Sequence, residues 1–193
     1  MTVASETRRW ESLWRTLVIR EHTTLPTLRR PTDAALNRFE QDTGFRLPLS
    51  YRAFAKVFGP GELAGDYHFF FPGYPGNERS DLATVNARIR VRAPGGPDFE
   101  SFISTFCRDP EQVRRMVFFC GTGYGDWVGW DPEDVRDGRN CEYGIYQWHG
   151  EQPSKVADSF VQFVEEFCLA TSGLGDEMSR KLFIPDSDLS GLV

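Results

Sequence analysis

The sequence predicts an α+β fold, with one domain built around a central, mostly antiparallel sheet that is flanked by helices. Between Met116 and Gly150, a glycine-rich turn and a turn containing Pro, Asp, Gly and Asn separate three short aromatic runs. This pattern is typical of a three-stranded antiparallel meander. The segments before and after it show apolar residues at helical spacing instead. We therefore place the meander in the middle of the domain.

The first predicted helix covers residues 6–20 and is capped by Ser5. Its apolar residues form one stripe at helical spacing: Trp10, Leu13, Trp14, Leu17 and Val18. We expect the tryptophans to pack on the domain core, although such a face can also bind a partner.

Two short helices precede the first predicted strand. Thr32 or Asp33 caps the second helix, and Gly44 stops it. Pro48 opens the third helix, which is rich in aromatic residues and ends at Gly59. Each of these residues has a backbone preference that suits the end of a helix.

Four segments then lead to the meander. Aromatic residues alternate along 66–71, which is typical of a strand. Ser80 caps a predicted helix over 81–91. The apolar spacing of 99–106 suits a helix, but its Phe, Ser and Thr residues also suit a strand, so both assignments stay open. A single helical turn at 109–111 follows.

After the meander, Asp158 or Ser159 caps a closing helix. Its apolar side is formed by Phe160, Phe163, Val164 and Phe167. The tail that follows is polar and glycine-rich, and its apolar patch at 182–184 either docks on the domain or stays loose. The predicted organisation is a helical extension at 1–30, an α+β domain at 31–170 and a tail at 171–193.

Composition argues against several classes of function. The 193 residues carry a formal charge of −6, whereas nucleic-acid binding requires a basic surface. The longest apolar run is far too short to cross a bilayer. Charged residues throughout the first 20 positions leave no room for the apolar part of a signal peptide. We therefore expect a cytoplasmic protein that contacts neither nucleic acid nor membrane.

The cysteines and histidines give no pattern for metal binding or nucleophilic catalysis. Cys107, Cys120, Cys141 and Cys168 form no Cys-x-x-Cys pair and have no histidine at ligand spacing. We interpret them as reduced thiols. No Gly-x-Ser-x-Gly motif is present, which leaves Cys120 or Cys141 with His149 as the conceivable nucleophile and base. We expect no metal and no catalytic residue.

The glycine-rich turn Gly121–Asp126 does not match a phosphate-binding loop. It lacks the Gly-Lys-Ser/Thr ending of a Walker motif, and it has Asp126 where the dinucleotide motif has glycine. Asp126 and Asp131 would lie about 16 Å apart along an extended strand, too far for joint acid–base chemistry. The acidic residues that follow lack the order of an EF-hand loop. No cofactor is therefore expected.

What remains is a surface rich in aromatic and acidic side chains. Aromatic residues are common at the centres of protein interfaces. We predict a partner-binding surface made of Tyr124, Asp126, Trp127, Trp130, Asp131, Glu133, Asp134 and Asp137. The other interpretation is that one side of the sheet packs on helices while the other is partly wetted by indole and phenol groups.

Several short motifs occur in a recognisable order along the chain. They are Leu47-Pro48-x-x-Tyr51-Arg52-x-Phe54, Gly59-Pro60-Gly61, Gly125-Asp126 leading into Trp130-Asp131, Tyr146-Gln147-Trp148, and Ser159-Phe160-x-x-Phe163-Val164. In this order they resemble the SUKH superfamily over residues 30–170. That group includes fungal cell-wall-assembly regulators and many bacterial immunity proteins that neutralise polymorphic toxins, often nucleases.

The resemblance implies an α+β domain without a cofactor, whose function is binding rather than catalysis. We expect an immunity protein, a monomer or weak homodimer, that binds a cognate toxin domain. Its acidic residues would cover a basic toxin surface by imitating phosphates. The alternative is an intracellular scaffold or regulatory adaptor that recruits a partner through the N-terminal helix. An enzyme would require a deep pocket with converging polar groups.

Overall fold

An eight-stranded sheet forms the centre of the fold. The computed structural model of the protein describes residues 2–20, 30–74, 77, 79–92, 98–171 and 181–186. The strands are β1 (Val18–Ile19), β2 (Gly61–Leu63), β3 (Tyr67–Phe69), β4 (Val117–Thr122), β5 (Trp127–Asp137), β6 (Glu142–Trp148), β7 (Ser154–Ala157) and β8 (Leu182–Pro185). Their order across the sheet is β1-β8-β2-β3-β4-β5-β6-β7. All neighbours are antiparallel except β1 and β8, which are parallel.

Helices pack on both faces of this sheet. They are α1 (Val3–Trp14), α2 (Asp33–Thr43), α3 (Leu49–Val57), α4 (Leu82–Val91), α5 (Phe99–Phe106), α6 (Pro110–Arg115) and a closing helix, α7. The closing helix has three consecutive parts, Phe160–Gln162, a π-helical stretch Phe163–Cys168, and a last turn Leu169–Thr171. The predicted α+β class with a mostly antiparallel sheet is confirmed.

The predicted meander consists of β4, β5 and β6. Trp127 pairs with Trp148, and Trp130 pairs with Ile145, across β5 and β6. The predicted turn after Trp130 begins later than expected, because β5 continues to Asp137. Two register irregularities, one on each side of Val135, let this acidic stretch stay in the sheet. Most of the acidic residues therefore lie on a strand rather than in a turn.

One face of the meander packs on α3 and α7. The rings of Phe119 and Trp130 stack with their centroids 4.1 Å apart. Tyr51 of α3 contacts Trp130 edge-on at 4.8 Å, and Phe160 of α7 contacts Phe119 at 5.5 Å. All four side chains are fully buried, so this face of the sheet is the main aromatic core.

The other face of the meander packs on α4 and α5. Phe99 of α5 meets Trp148 edge-on at 6.1 Å, and Phe118 stacks beside Trp148 at 5.8 Å. The buried Asn86 amide of α4 donates to the Phe118 carbonyl oxygen and accepts from the Phe118 N–H. Helices thus shield both faces of the central strands. The interpretation that the second side of the sheet is partly wetted is therefore wrong at Trp148, which is fully buried.

Most predicted helix ends are confirmed. The Thr32 hydroxyl accepts from the Ala35 N–H, and Gly44 ends α2 with a φ of 72°. Ser159 caps α7 through the Gln162 N–H. Asp81, rather than the predicted Ser80, caps α4 through the Thr84 N–H. At each of the three N-terminal caps, a short polar side chain satisfies an N–H that the helix leaves free.

The segment left open in the sequence, 99–106, is the helix α5. The Asp98 carboxylate caps it by accepting from the Ser101 N–H at 2.9 Å. Phe99 and Ile103 lie on its buried side, while Phe106 is exposed. The helical spacing of the apolar residues was therefore the informative signal in this segment.

The N-terminal helix is shorter than predicted and begins with a different cap. Thr2, not Ser5, is its N-cap, and the helix ends at Trp14. Val18, which was assigned to the apolar stripe, lies in β1 and is about half exposed. The Trp10 indole is fully buried and donates to the Ser50 carbonyl oxygen at 2.9 Å. The expectation that Trp10 packs on the core is confirmed.

The apolar patch near the C-terminus docks on the domain. Residues 182–184 belong to β8, which lies between β1 and β2 in the sheet. Phe183 is fully buried and contacts Trp14 at 5.5 Å and Phe58 at 5.1 Å. Both chain ends therefore contribute to one edge of the sheet. The predicted boundaries at residues 30 and 170 stay predictions.

Among the residues that the structure describes, no helix is both long and apolar enough to cross a membrane.

Candidate partner-binding surface

The eight residues predicted to bind a partner lie at two ends of β5. Tyr124 and Asp126 belong to the β4–β5 turn, and Trp127 begins the strand. Glu133 and Asp137 lie toward the far end of the same strand. Six positions of β5 separate Trp127 from Glu133, which corresponds to roughly 20 Å of extended strand. We therefore describe two regions separately, the hairpin surface (Tyr124, Asp126, Trp127 and His149) and the acidic stretch (131–137).

Tyr124 is more exposed than Trp127, the other large aromatic side chain of the hairpin surface. It lies at the tip of the β4–β5 turn with 66% of its surface accessible. The turn is tight because Gly125 has a φ of 90°, a conformation that favours glycine. Its neighbour Gly123 donates its N–H to the Asp66 carboxylate at 2.7 Å. These features fix the conformation of the turn, and Tyr124 at its tip is exposed to solvent.

Trp127 is half-buried behind this tip. Its ring lies 6.0 Å from the Phe70 ring and 6.0 Å from the Arg88 guanidinium, which sits over its face. The strand pairing also places it opposite the buried Trp148. Part of the indole is therefore fixed by the fold while the rest faces water, an arrangement common in binding residues.

Asp126 is buried and holds an exposed histidine. Its carboxylate hydrogen-bonds the Nδ1 of His149 and accepts from the Gln147 side-chain amide. Only 11% of the Asp126 side chain is accessible, against 81% for His149. The hydrogen bond and the charge of Asp126 raise the pKa of His149. When it is protonated, His149 forms an ion pair with Asp126 and presents a cation to solvent.

His149 and Arg88 were not among the predicted binding residues. Strand register contains the signal for His149: because Trp127 pairs with Trp148, the residues before and after them, Asp126 and His149, come opposite each other. Arg88 reaches the site from α4, and no local pattern relates that helix to the hairpin.

Trp130 does not belong to an exposed surface, and its predicted role as a binding residue is wrong. Its side chain is fully buried. It stacks on Phe119 and, with centroids 5.6 Å apart, on Phe45. Trp130 and Trp127 point to opposite faces of β5. The face that carries Trp130 is the one covered by α3 and α7. Burial of its large ring in the core explains the correction.

Asp131 is also buried, so its predicted contact with a partner is wrong. It receives the Arg115 guanidinium through both oxygens, at 2.7 and 2.8 Å. It also accepts from the Gln112 amide at 3.1 Å and from the Glu133 N–H at 3.0 Å. Burial alone would raise its pKa, but these bonds and the Arg115 charge together lower it. Asp131 therefore anchors β5 to α6.

The other acids of this stretch differ in how free their charges are. The Glu133 side chain is 74% exposed, and Arg115 lies 3.3 Å away. Asp134 pairs with Arg136 at 2.7 Å and Lys155 at 2.9 Å, and it accepts from the Tyr146 hydroxyl. Asp137 receives the Asn140 side-chain amide. Only Glu133 carries a charge that is largely exposed to a partner.

This pairing changes the electrostatic part of the prediction. Arg115, Arg136 and Lys155 offset much of the negative charge of Asp131, Glu133 and Asp134. A surface that imitates phosphates needs exposed, uncompensated anions. Within the described acidic stretch, Glu133 is the most exposed acid, although Arg115 lies 3.3 Å from it, and it is the best candidate for attracting a basic partner.

The thiol chemistry considered from the sequence finds no support in the geometry. Cys120 is fully buried, and burial raises the pKa of its thiol well above the usual value. A raised pKa keeps the thiol protonated and unreactive. His149 bonds to Asp126 instead. Among the described residues, no three His, Cys, Asp or Glu side chains are placed to hold a metal ion.

The fold defines a class of protein, an α+β domain with an aromatic hairpin held in place at one end of its central strands. The chain belongs to the SMI1 / KNR4 family (SUKH-1), whose model matches residues 30–166. Membership supports a protein-binding role of the immunity or regulatory kind. No curated protein matches the chain.

Proposed function

We propose that the protein is a cytoplasmic immunity protein that binds a cognate toxin domain and thereby neutralises it. Family membership supports a protein partner in general. The observation that supports the location of the contact is Tyr124, two-thirds exposed at the tip of a braced turn. Tyrosine is over-represented among the residues that dominate binding energies.

The hairpin surface has the composition of a binding centre. Tyr124 would insert into the partner, and the exposed part of Trp127 would pack beside it. Because Arg88 and the strand partner Trp148 already fix Trp127, little conformational entropy would be lost on binding. His149 lies at the edge and would donate to an acceptor on the partner. Asp66 and Gln147 fix the conformation of this surface through their hydrogen bonds to Gly123 and Asp126.

The overall charge of −6 supports a basic partner, such as a nuclease domain. Attraction over the whole surface speeds encounter more than it strengthens the final complex. Glu133 lies six positions along β5 from Trp127, roughly 20 Å of extended strand, and therefore away from the hairpin turn that carries Tyr124. In this proposal it steers association, while the hairpin surface determines how long the complex lasts.

The experiment that tests the proposal measures binding to the product of the neighbouring gene, with and without changes at the hairpin. Tyr124→Ala should weaken the complex about tenfold or more, mainly through faster dissociation. Val135→Ala is the matched control, because Val135 is also exposed, at 54%, but lies in the acidic stretch. Loss of toxin protection should follow loss of binding.

Equal binding by Tyr124→Ala and wild type would contradict the assigned surface. Failure of the wild type to bind or protect would overturn the toxin-neutralising role itself. For the steering part, Glu133→Lys should slow association at low salt and leave it nearly unchanged at high salt. If Glu133→Lys leaves the association rate unchanged at both salt concentrations, Glu133 does not steer association.

The adaptor alternative relied on the tryptophans of the N-terminal helix. Trp10 is fully buried, and Trp14 contacts Phe58 and Phe183. Neither ring is displayed as a recruiting surface. Deleting residues 1–30 would therefore remove core contacts, and it cannot distinguish an adaptor from an inhibitor.

A further inference from the structure

A second concave region lies away from the hairpin surface. It is a cleft of about 430 Å³ where the C-terminal end of α2 approaches α4, α6 and the start of β4. Phe39, Phe45, Val117 and Pro132 supply its apolar lining. Phe39 and Phe45 are more than nine-tenths buried, so they present only a small part of each ring. The cleft has the size and apolar floor of a small-ligand site.

The charged groups of the cleft are all of one sign. Arg90, Arg114 and Arg115 line it, and no carboxylate among the described residues does. Arg114 is paired outside the cleft with Glu100 at 2.7 Å and also with Glu111. Arg115 is paired with Asp131 and Glu133. Their positive charges are therefore largely balanced.

Arg90 differs from its two neighbours. No described carboxylate lies within 4 Å of its guanidinium, and its bonds go to uncharged acceptors. Nη2 donates to the carbonyl oxygens of Arg114 and Met116 at 3.1 and 3.0 Å, and Nη1 reaches Asn86 at 3.4 Å. Burial lowers the pKa of Arg90. It is a partly desolvated cation that has no counter-charge among the residues the structure describes.

Nearby polar groups do not supply the missing negative charge. The Asn86 amide is occupied by the Phe118 and Leu82 backbones. The end of α2 at Gly44 contributes partial negative charge through its last carbonyls, which is less than a full counter-charge. Three backbone carbonyl oxygens and the Asn86 side-chain oxygen accept from Arg90 and fix the guanidinium in place. Its Nε–H donates to none of the described residues.

We infer that this cleft binds a small apolar carboxylate, with the acid group on Arg90 and the apolar part against Phe39 and Phe45. A carboxylate would accept from the Nε–H of Arg90, the donor that no described residue uses, and would supply the counter-charge that the described residues do not provide. The apolar part would cover ring surface that is now open to water. This inference does not depend on the toxin-binding proposal, because the two regions share no residue.

The ligand's chemistry is common to two sources, a free aromatic or aliphatic acid and the C-terminal residue of a peptide. The test titrates the full chain with 3-phenylpropionate and with a tripeptide ending in phenylalanine. Binding is followed through backbone amide signals of Phe45 and Val117 in NMR spectra. Each acid has a matched neutral control, its amide. We expect saturable binding of about millimolar affinity for at least one acid, and at least tenfold weaker binding of its amide.

Substitutions at Arg90 test whether its guanidinium is the group that binds the acid. Arg90→Met should reduce acid binding at least tenfold, while Arg90→Lys should retain most of it. Arg38→Met is the control, since Arg38 is an exposed arginine of α2 outside the cleft lining. Circular dichroism establishes that each variant is folded. If Arg90→Met fails to fold, the comparison of acid with amide on the wild-type chain still shows whether the cleft recognises a carboxylate.

Two results would overturn the inference. One is the absence of saturable binding by both acids. The other is equal binding of an acid and its amide, or of an acid to wild type and folded Arg90→Met. Binding of the free acid alone would assign a small-molecule ligand, and binding of the tripeptide alone would assign a peptide end. Both support the carboxylate site.

Discussion

Asp131 is the residue on which the polar contacts between β5 and α6 converge. Its carboxylate accepts four hydrogen bonds, two from Arg115, one from Gln112 and one from the Glu133 N–H. Asp131→Asn keeps the shape but removes the charge and one acceptor. We expect the free energy of unfolding to fall by about 1–3 kcal/mol, because buried, charge-assisted bonds are lost. Urea denaturation measures it.

Glu133→Gln is the matched control for Asp131→Asn, since both acids face Arg115 but Glu133 is mostly exposed. Its effect should stay within about 0.5 kcal/mol. The pKa of Asp131 is lowered by folding, so its contribution is present above the unfolded value of about 3.9 and disappears as pH falls through the folded value. The difference between Asp131→Asn and wild type should therefore shrink in acid. A difference that is constant down to the lowest pH would contradict the assignment.

At the residue scale, the sequence identified the right hairpin but could not separate its buried from its exposed members. Alternation along β5 places Trp127 and Trp130 on opposite faces, and this is correct. It does not reveal that helices distant in sequence cover both faces. Trp130 and Asp131 are therefore buried. Tyr124 lies at a glycine turn, where local sequence alone predicts exposure.

At the element scale, β8 shows how a segment outside the family match completes the sheet. Its Pro185 is followed by Asp186, whose carboxylate lies 3.2 Å from the Nε2 of His68 on β3. Asp186 also accepts from the Ser80 hydroxyl. These side-chain bonds connect the C-terminal segment to β3 and to the start of α4. The strand is thereby held by more than backbone pairing.

Asp186→Asn should loosen this connection in a pH-dependent way. Burial lowers the pKa of His68, but the bond to Asp186, its charge and the Arg79 carbonyl outweigh burial and raise it. A raised pKa contributes stability below the unfolded value of about 6.5, and this is lost as pH rises through the folded value. Asp186→Asn should thus cost about 1 kcal/mol near pH 5.5 and less at pH 8.5.

Thermal denaturation at the two pH values measures the Asp186→Asn effect. His68→Gln is the partner control, because it should remove the same pH dependence while leaving the Ser80 bond to Asp186 intact. An equal loss of stability at both pH values would show that the His68 charge is not involved.

Elements differ in how well the sequence predicts them, and length explains most of the difference. The helix caps at Thr32 and Ser159 and the meander carry several agreeing signals each. By contrast, β1 has two residues and β2 has three. A period of two cannot be recognised over so few positions. These strands exist because β8 and β3 lie beside them, which is tertiary information.

At the scale of the whole molecule, the N-terminal helix shares one core with the family-matched region. Trp10 contacts Phe54 at 5.2 Å and Phe160 at 6.0 Å. Phe54 and Phe160 in turn contact each other and Phe69 of the sheet. The family resemblance, which begins at residue 30, does not reveal these contacts, because they join residues far apart in the chain.

The predicted boundaries can be tested by comparing the full chain with residues 31–170 alone. The shorter chain lacks Trp10 and both strands beyond β2, so β2 becomes an unprotected edge. In the full chain, Trp10→Ala should lower the free energy of unfolding by about 3–5 kcal/mol, since a large buried side chain is lost. Glu11→Ala, at an exposed position of the same helix, should change it by less than about 0.5 kcal/mol.

Because domains are typically stable by only about 5–15 kcal/mol, the 31–170 chain should be largely unfolded or prone to aggregate. If it instead unfolds at the same urea concentration as the full chain, residues 1–30 and 171–193 are dispensable appendages and the shared core does not stabilise the domain.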